Sequence, residues 1–184
     1  MKKYLVIGNP IEHSLSPALH NYWIKKNNIN AIYEKKQILE NEIEKIISNI
    51  RSKKLSGINV TVPYKKKVLS FVDTLTDEAN ETMSVNTIYM KNERIIGHNT
   101  DIAGFELGIR SYGYDVKKKN VFIFGAGGVV PSIIVGLKRM QASKIFLYNR
   151  TYSKSELIKK SFNDIEIIDK NEVPNEVDML INAS

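Results

Sequence analysis

The stretch Val121-Phe122-Ile123-Phe124-Gly125-Ala126-Gly127-Gly128 decides how the second half of this chain is read, and with it the fold. A run of apolar, β-favouring residues enters a glycine turn, and Val129–Met140 reads as the helix that follows. Such a turn needs glycine because its backbone angles oppose a side chain and because a pyrophosphate must approach the main-chain N–H groups closely. The helix then directs the partial positive charge of its N-terminus at the same anion. The third position of the pattern, usually Gly or Ala, is Val130, which is expected to space helix and strand slightly wider.

Working downstream, Lys144–Tyr148 reads as the next strand, Lys154–Ser161 as a helix, and Glu166–Ile168 and Asp178–Asn182 as two more strands. This βαβαβ progression is half of a dinucleotide-binding fold. A site for NAD places an acid at the end of the second strand, about 20 residues beyond the glycines. Asn149-Arg150-Thr151 stands there instead, with Lys154 close behind. An acid repels a 2′-phosphate, whereas a guanidinium grips one through paired, charge-assisted hydrogen bonds, so NADP is the expected cofactor. The residues expected to hold it are Gly125, Ala126, Gly127, Gly128, Val129, Asn149, Arg150, Thr151 and Lys154.

Upstream, short β-rich runs alternate with amphipathic stretches, the pattern of an α/β protein with a mainly parallel sheet. Tyr4–Gly8, Ala31–Lys35 and Gly57–Val62 read as strands, the last stopped by Pro63. Pro17 suits the first turn of a helix capped by Ser16 and running to Lys26, with Tyr22 and Trp23 expected to pack it on the sheet. Isoleucines at 43, 46, 47 and 50 give Glu42–Arg51 one buried helical face. Short helices are expected near Lys65–Phe71 and Asp77–Thr82. Val85–Met90 and Arg94–Gly97 form a hairpin around Lys91-Asn92-Glu93, and Asp101–Ser111 is a helix ending towards Gly113.

Composition excludes several classes. The chain has no cysteine, which removes disulfides, thiolate metal sites and a cysteine nucleophile. His13, His20 and His98 lack ligand-like spacing, so no metal site is expected. The 27 basic and 20 acidic residues leave a net charge of +7, which favours anionic ligands. The lysines are dispersed, and no nucleic-acid recognition motif accompanies them. No apolar run approaches membrane-spanning length, and MKKYLVIGNP enters a strand without a signal-peptide core, so a cytoplasmic protein is expected.

Several polar segments stand out from this Lys/Ile/Asn-rich background. They are Gly8–Pro17 (GNPIEHSLSP), Asn59–Lys65 (NVTVPYK), Val85-Asn86-Thr87 and Gly97–Asp101 (GHNTD). Each ends a strand or starts a helix, where α/β folds build ligand sites. Their uncharged donors and acceptors suit a small polyhydroxylated ligand. Lys65 suits a carboxylate or a proton transfer, with Asp101 to orient it.

In order, these segments closely resemble the substrate domain of shikimate dehydrogenases, and GAGG with NRT resembles their cofactor domain, from Tyr4 to Ser184. The resemblance implies reversible reduction of 3-dehydroshikimate to shikimate by NADPH, in chorismate and aromatic amino-acid biosynthesis. It implies Ser14 and Ser16 at the substrate carboxylate, Asn59, Thr61 and Asn86 at the ring hydroxyls, and Lys65 with Asp101 as the catalytic pair. Asp77 matches an acidic family position near the cofactor. His98 stands where the family commonly has an acid.

The fold expected is α/β: a substrate-binding domain over residues 1–101, a connecting helix over 102–117 and an incomplete Rossmann-type NADP domain over 118–184. Relative to the family, the chain is expected to be C-terminally short. Its partner is a small molecule, without nucleic acid or membrane, and it is expected to act as a monomer or homodimer. The alternatives are a quinate/shikimate dehydrogenase using NAD, or a binder of shikimate or nucleotide without turnover.

Overall fold

Alternation along the first strand settles its two faces, because successive side chains of a strand point to opposite sides. Leu5 and Ile7 join one apolar cluster, and Val6 joins another with Ile11 and Tyr33. In the computed structural model, which describes every residue except 170, 171, 173 and 175, the chain divides into two units, Met1–Thr100 and Asp101–Ser184.

The first unit runs β1 (Lys2–Gly8), α1 (Ser16–Lys26), β2 (Ala31–Gln37), α2 (Ile43–Arg51), β3 (Gly57–Val60), β4 (Thr74–Leu75), α3 (Asp77–Thr82), β5 (Thr87–Lys91) and β6 (Arg94–His98). Its six strands lie in the order β2-β1-β3-β5-β6-β4. β1 is parallel to β2 and β3, while β5 is antiparallel to both β3 and β6. The isoleucine face of α2 is buried as its spacing predicts, among Leu5, Ile7, Ile58 and Val60. In the β5–β6 hairpin, Asn92 and Glu93 both have positive φ, 50° and 61°, a turn whose twist matches that of paired strands.

Details differ from the sequence expectation. Ser16 does not cap α1: Leu15 occupies the cap position without a side-chain bond, and Ser16 is the first helical residue. The Ser14 Oγ accepts from the Ser16 N–H at 3.4 Å, so the hydroxyl serving this end comes two residues earlier. Nor do Tyr22 and Trp23 pack the helix on the sheet, being 59% and 47% exposed. Their place is taken by Asn21, His20 and Ile24, as described below. β3 stops at Val60, two residues short of the expected end, and Lys67–Phe71 is a 3₁₀ turn.

The second unit runs α4 (Asp101–Ser111), β7 (Asn120–Phe124), α5 (Val130–Arg139), β8 (Lys144–Tyr148), α6 (Tyr152–Lys159), β9 (Glu166–Ile167) and β10 (Met179–Asn182). Its strands are parallel in the order β10-β7-β8-β9, the 3-2-1-4 half of a doubly wound sheet. The helix read from sequence as a connector belongs to this unit, where α4 packs on α5. A Cβ on Gly136 of α5 would lie 2.9 Å from the Phe105 ring. Val130 is fully buried in the core of this unit. Among the described residues no helix is long and apolar enough to cross a membrane.

Asp178 fixes the start of β10 beside β7. Its carboxylate accepts from the Asn120 N–H at 2.8 Å and from the Lys119 ammonium at 3.0 Å, and its carbonyl accepts from the Tyr114 hydroxyl at 3.1 Å. The Asn120 N–H and then Lys119 hold the carboxyl below its usual pKa of 3.8. A depressed carboxyl stabilises the fold above its unfolded pKa and loses that contribution as pH falls through the folded one. Asp178→Asn is therefore expected to melt below the parent at pH 7. Scanning calorimetry in acid should find the two converging once the parent's carboxyl is protonated.

Candidate active site

At one rim of the first sheet the strand ends are tied together by main-chain hydrogen bonds. The register sets Ile7 beside Val60, Asn59 opposite Thr87, and Thr87 opposite His98, so Gly8, Thr61, Asn86 and Asn99 follow at adjacent strand ends. The Thr61 N–H donates to the Ile7 carbonyl at 2.9 Å, and the Asn9 N–H to that of Val62 at 3.1 Å. The Val85 N–H donates to the Lys65 carbonyl at 2.9 Å, and the Asn86 N–H to that of His98 at 3.0 Å. Gly8 permits this closeness, because a Cβ there would lie 2.6 Å from Thr61 Cγ2. Asn9–Pro10 and Val62–Pro63 are cis peptides at this rim.

Side chains continue the same network. Asn86 is 8% exposed, and its Oδ1 accepts from the Thr100 N–H at 3.0 Å. The Asn86 carbonyl accepts from the Val60 N–H at 2.8 Å and from Asn59 Nδ2 at 3.1 Å. Asn59 Nδ2 also donates to Thr87 Oγ1 at 3.0 Å. A cavity of about 550 Å³ opens on the α1 face of the sheet, lined by Asn59, Thr87 and Thr100 at its polar end and by Tyr4, Ile24, Tyr33 and Tyr89 elsewhere.

In the second unit a cleft of about 580 Å³ lies across the carboxyl ends of β7, β8 and β10, lined by Phe124, Gly125, Tyr148, Asn149, Arg150, Asn182 and Ser184. The strand order reverses between β7 and β10, where open α/β sheets bind ligands. Gly125 has φ +101°, and a Cβ there would lie 2.5 Å from the Ser184 nitrogen. At Gly127 it would lie 2.8 Å from the Ala183 carbonyl oxygen. These glycines thus also admit the chain leaving β10. A Cβ on Gly128 would meet nothing within 4 Å, so this position is open where the other two are closed. Gly125 and a cationic Arg150 line this cleft together, which fits a dinucleotide carrying an extra phosphate.

Of the residues expected from sequence, the first-unit rim holds Asn59, Thr61, Lys65 and Asn86. Ser14 and Ser16 stand half-buried at the start of α1. Asp77 is the exposed first residue of α3, whose cap is Thr76. Asp101 opens α4 in the second unit, directly after Thr100. Gly125, Asn149 and Arg150 line the cleft; Ala126, Gly127, Gly128, Val129, Thr151 and Lys154 do not, although Asn149 Nδ2 donates to the Thr151 carbonyl at 2.8 Å. His98 contacts Thr76 Oγ1 at 2.9 Å through Nδ1, with Glu78 3.6 Å away. Sequence reading missed Thr87 and Thr100, which sit inside the polar segments it singled out, and Tyr33, which no local signal marks.

Family models match nearly the whole chain: that for the shikimate dehydrogenase substrate binding domain over residues 6–88, and that for shikimate / quinate 5-dehydrogenase over residues 106–184. A shikimate dehydrogenase (NADP(+)) of Pelagibacter ubique is 54% identical across 100% of this chain, which spans 69% of that relative. One from Caldicellulosiruptor bescii is 35% identical over 90% of this chain and 58% of its own length. The crystal structure of shikimate dehydrogenase from Aquifex aeolicus superposes with a TM-score of 0.92 at 35% identity, over 100% of this chain and 69% of that one. The Thermus thermophilus enzyme in complex with NADP(H) and shikimate gives 0.89 at 26% identity, with the same coverage.

The two tight glycines and the open one separate experimentally. Gly125→Ala is expected to destabilise the protein by at least about 1–3 kcal/mol, from strain and from the Ser184 backbone, while Gly128→Ala stays near the parent. Urea unfolding of both variants measures the difference.

Proposed function

This chain belongs to the shikimate dehydrogenase family, and on that premise we propose that it carries the substrate and NADP sites of an enzyme that reversibly reduces 3-dehydroshikimate to shikimate. The observation that carries this reading is the Val85–Asn86 segment, which ties both chemically decisive stretches to one point. Its Val85 N–H holds the Lys65 carbonyl and its Asn86 Oδ1 holds the Thr100 N–H, next to Asp101 in sequence.

NADPH, when bound, supplies the hydride for the substrate ketone. Hydride arrival leaves negative charge on the carbonyl oxygen, which the Lys65 ammonium stabilises and protonates, and Asp101 is the carboxylate proposed to orient that ammonium. The Ser14 and Ser16 hydroxyls serve the substrate carboxylate. Thr61 and Asn86 serve the ring hydroxyls together with Asn59, which offers its Oδ1 because both its N–H groups are engaged within the protein. Arg150 grips the 2′-phosphate, Asn149, Thr151 and Lys154 support it, and residues 125–129 receive the pyrophosphate. Asp77 is proposed to lie near the cofactor. Shikimate and NADP are the proposed partners, the protein acts as a monomer or homodimer, and the cytoplasm is its proposed compartment.

The purified chain mixed with shikimate and NADP+ is expected to generate reduced nicotinamide, much faster than with NAD+. Heat of shikimate binding without any reduced nicotinamide would leave it a binder rather than a catalyst. Lys65→Ala is expected to lower turnover roughly 10²–10⁴-fold with a much smaller change in shikimate affinity, and a near-normal rate removes Lys65 from the chemistry. Arg150→Ala is expected to weaken NADP+ roughly ten- to hundredfold and leave NAD+ unchanged, as paired titrations with the two nucleotides will show.

A further inference from the structure

We propose that Tyr33 is a positioning residue for the substrate site, locking Asn59, and through it Asn86, in the orientation that receives the ligand. This rests on the shikimate reading of that site and adds a residue to it. Tyr33 lies on the edge strand β2 and Asn59 on β3, with β1 between them, so they are two strand spacings apart across the sheet, about 9.5 Å, and staggered by two residues along it. They share a face, because the register sets Tyr33 beside Tyr4 and Asn59 beside Val6, and Tyr4 and Val6 point the same way. A phenol crosses that span, and its hydroxyl meets Asn59 Oδ1 at 2.7 Å.

The direction of this bond follows from what surrounds Asn59. Its other terminal atom lies 3.1 Å from the Asn86 main-chain carbonyl, which can only accept, so that atom is the NH₂ group. The atom facing Tyr33 is then the carbonyl oxygen, and the phenol must donate to it. Burial pushes the Tyr33 hydroxyl up to about 12, so it keeps its proton throughout the neutral range. Without that donor the Asn59 oxygen loses its partner on this side, and the amide is held only from the side of the Asn86 carbonyl and Thr87. From Asn59 the chain continues through Thr87 Oγ1, which donates to Asn86 Oδ1 at 3.0 Å. Asn86 Oδ1 in turn holds the Thr100 N–H.

Tyr33 is itself fixed by α1. The Asn21 amide clamps its backbone on the free edge of β2, accepting from the Tyr33 N–H at 3.0 Å and donating to its carbonyl at 2.8 Å. His20 stacks on the phenol ring with centroids 4.2 Å apart and planes 11° from parallel. Burial lowers the His20 pKa, which favours a neutral ring in that stack. Since α1 begins at Ser16, one side chain links the serine end of the site to its asparagine end.

Tyr33→Phe removes only the hydroxyl and keeps the ring. Calorimetric titration with shikimate is expected to show affinity falling roughly three- to tenfold, the equivalent of one buried hydrogen bond, with NADP+ affinity unchanged. The side-chain amide NMR signals of Asn59 and Asn86 and the Thr100 N–H signal should shift, and those of Asn149 should not. Ile47→Val, a core change on the other face of the sheet, serves as the control: it is expected to lower stability without altering shikimate affinity or those signals. Shikimate affinity within twofold of the parent in Tyr33→Phe, unmoved Asn59 signals, or an equal loss in Ile47→Val would each overturn the proposal. A parent that binds no shikimate fails at an earlier point, since it removes the reading of the site and the positioning role with it.

Discussion

A buried amide with no partner costs about 1–3 kcal/mol, and the rim of the first sheet is organised around avoiding that penalty at Asn86. This residue ends the loop just before β5, so its main chain cannot rely on ladder bonds alone. Its N–H is matched to His98, its carbonyl takes two donors, and its side-chain oxygen receives the Thr100 N–H. These partners come from two segments of the candidate site, Asn59–Lys65 and Gly97–Asp101. Satisfying one buried residue therefore sets the relative positions of the segments around Asn59 and Thr100, and the neighbouring Val85 N–H adds Lys65.

The second unit solves a different packing problem with a related economy of parts. There the close approach is between the glycine turn after β7 and the chain leaving β10, with the Ala183 N–H donating to the Phe124 carbonyl at 2.7 Å. Gly125 and Gly127 are small because backbone passes over them, whereas nothing within the protein crowds Gly128. Within one glycine run the fold thus constrains the first two positions and leaves the third open.

The alternating elements were legible because their cause is local. The α2 isoleucines, the β7 strand with its glycine turn, and the parallel progression beyond it all follow from periodicity within a dozen residues or so. Family membership was legible because several polar segments recur in order. What escaped reading depends on neighbours distant in sequence. The role of Tyr33 arises only when β1 places it two strands from Asn59, and nothing in AIYEKKQ distinguishes a structural tyrosine from one that orients an amide. The aromatic pair in α1 misled for the same reason. Tyr22 and Trp23 look like the anchors of a helix, yet Asn21 does that work through the backbone of an edge strand whose N–H and C=O groups would otherwise lack partners.

These arrangements give a chain with a net charge of +7 a first-sheet rim made mostly of neutral groups. A dispersed positive charge raises the local concentration of any anion but discriminates poorly between similar ones. Neutral amides and hydroxyls discriminate only if they are held still, since an amide free to rotate offers donor and acceptor alike to any ligand. Holding them still requires that their other hydrogen-bonding capacity be used inside the protein, as it is for Asn59. Recognition on such a rim comes from fixed amides, and the lysine beside them is the group proposed for the chemistry.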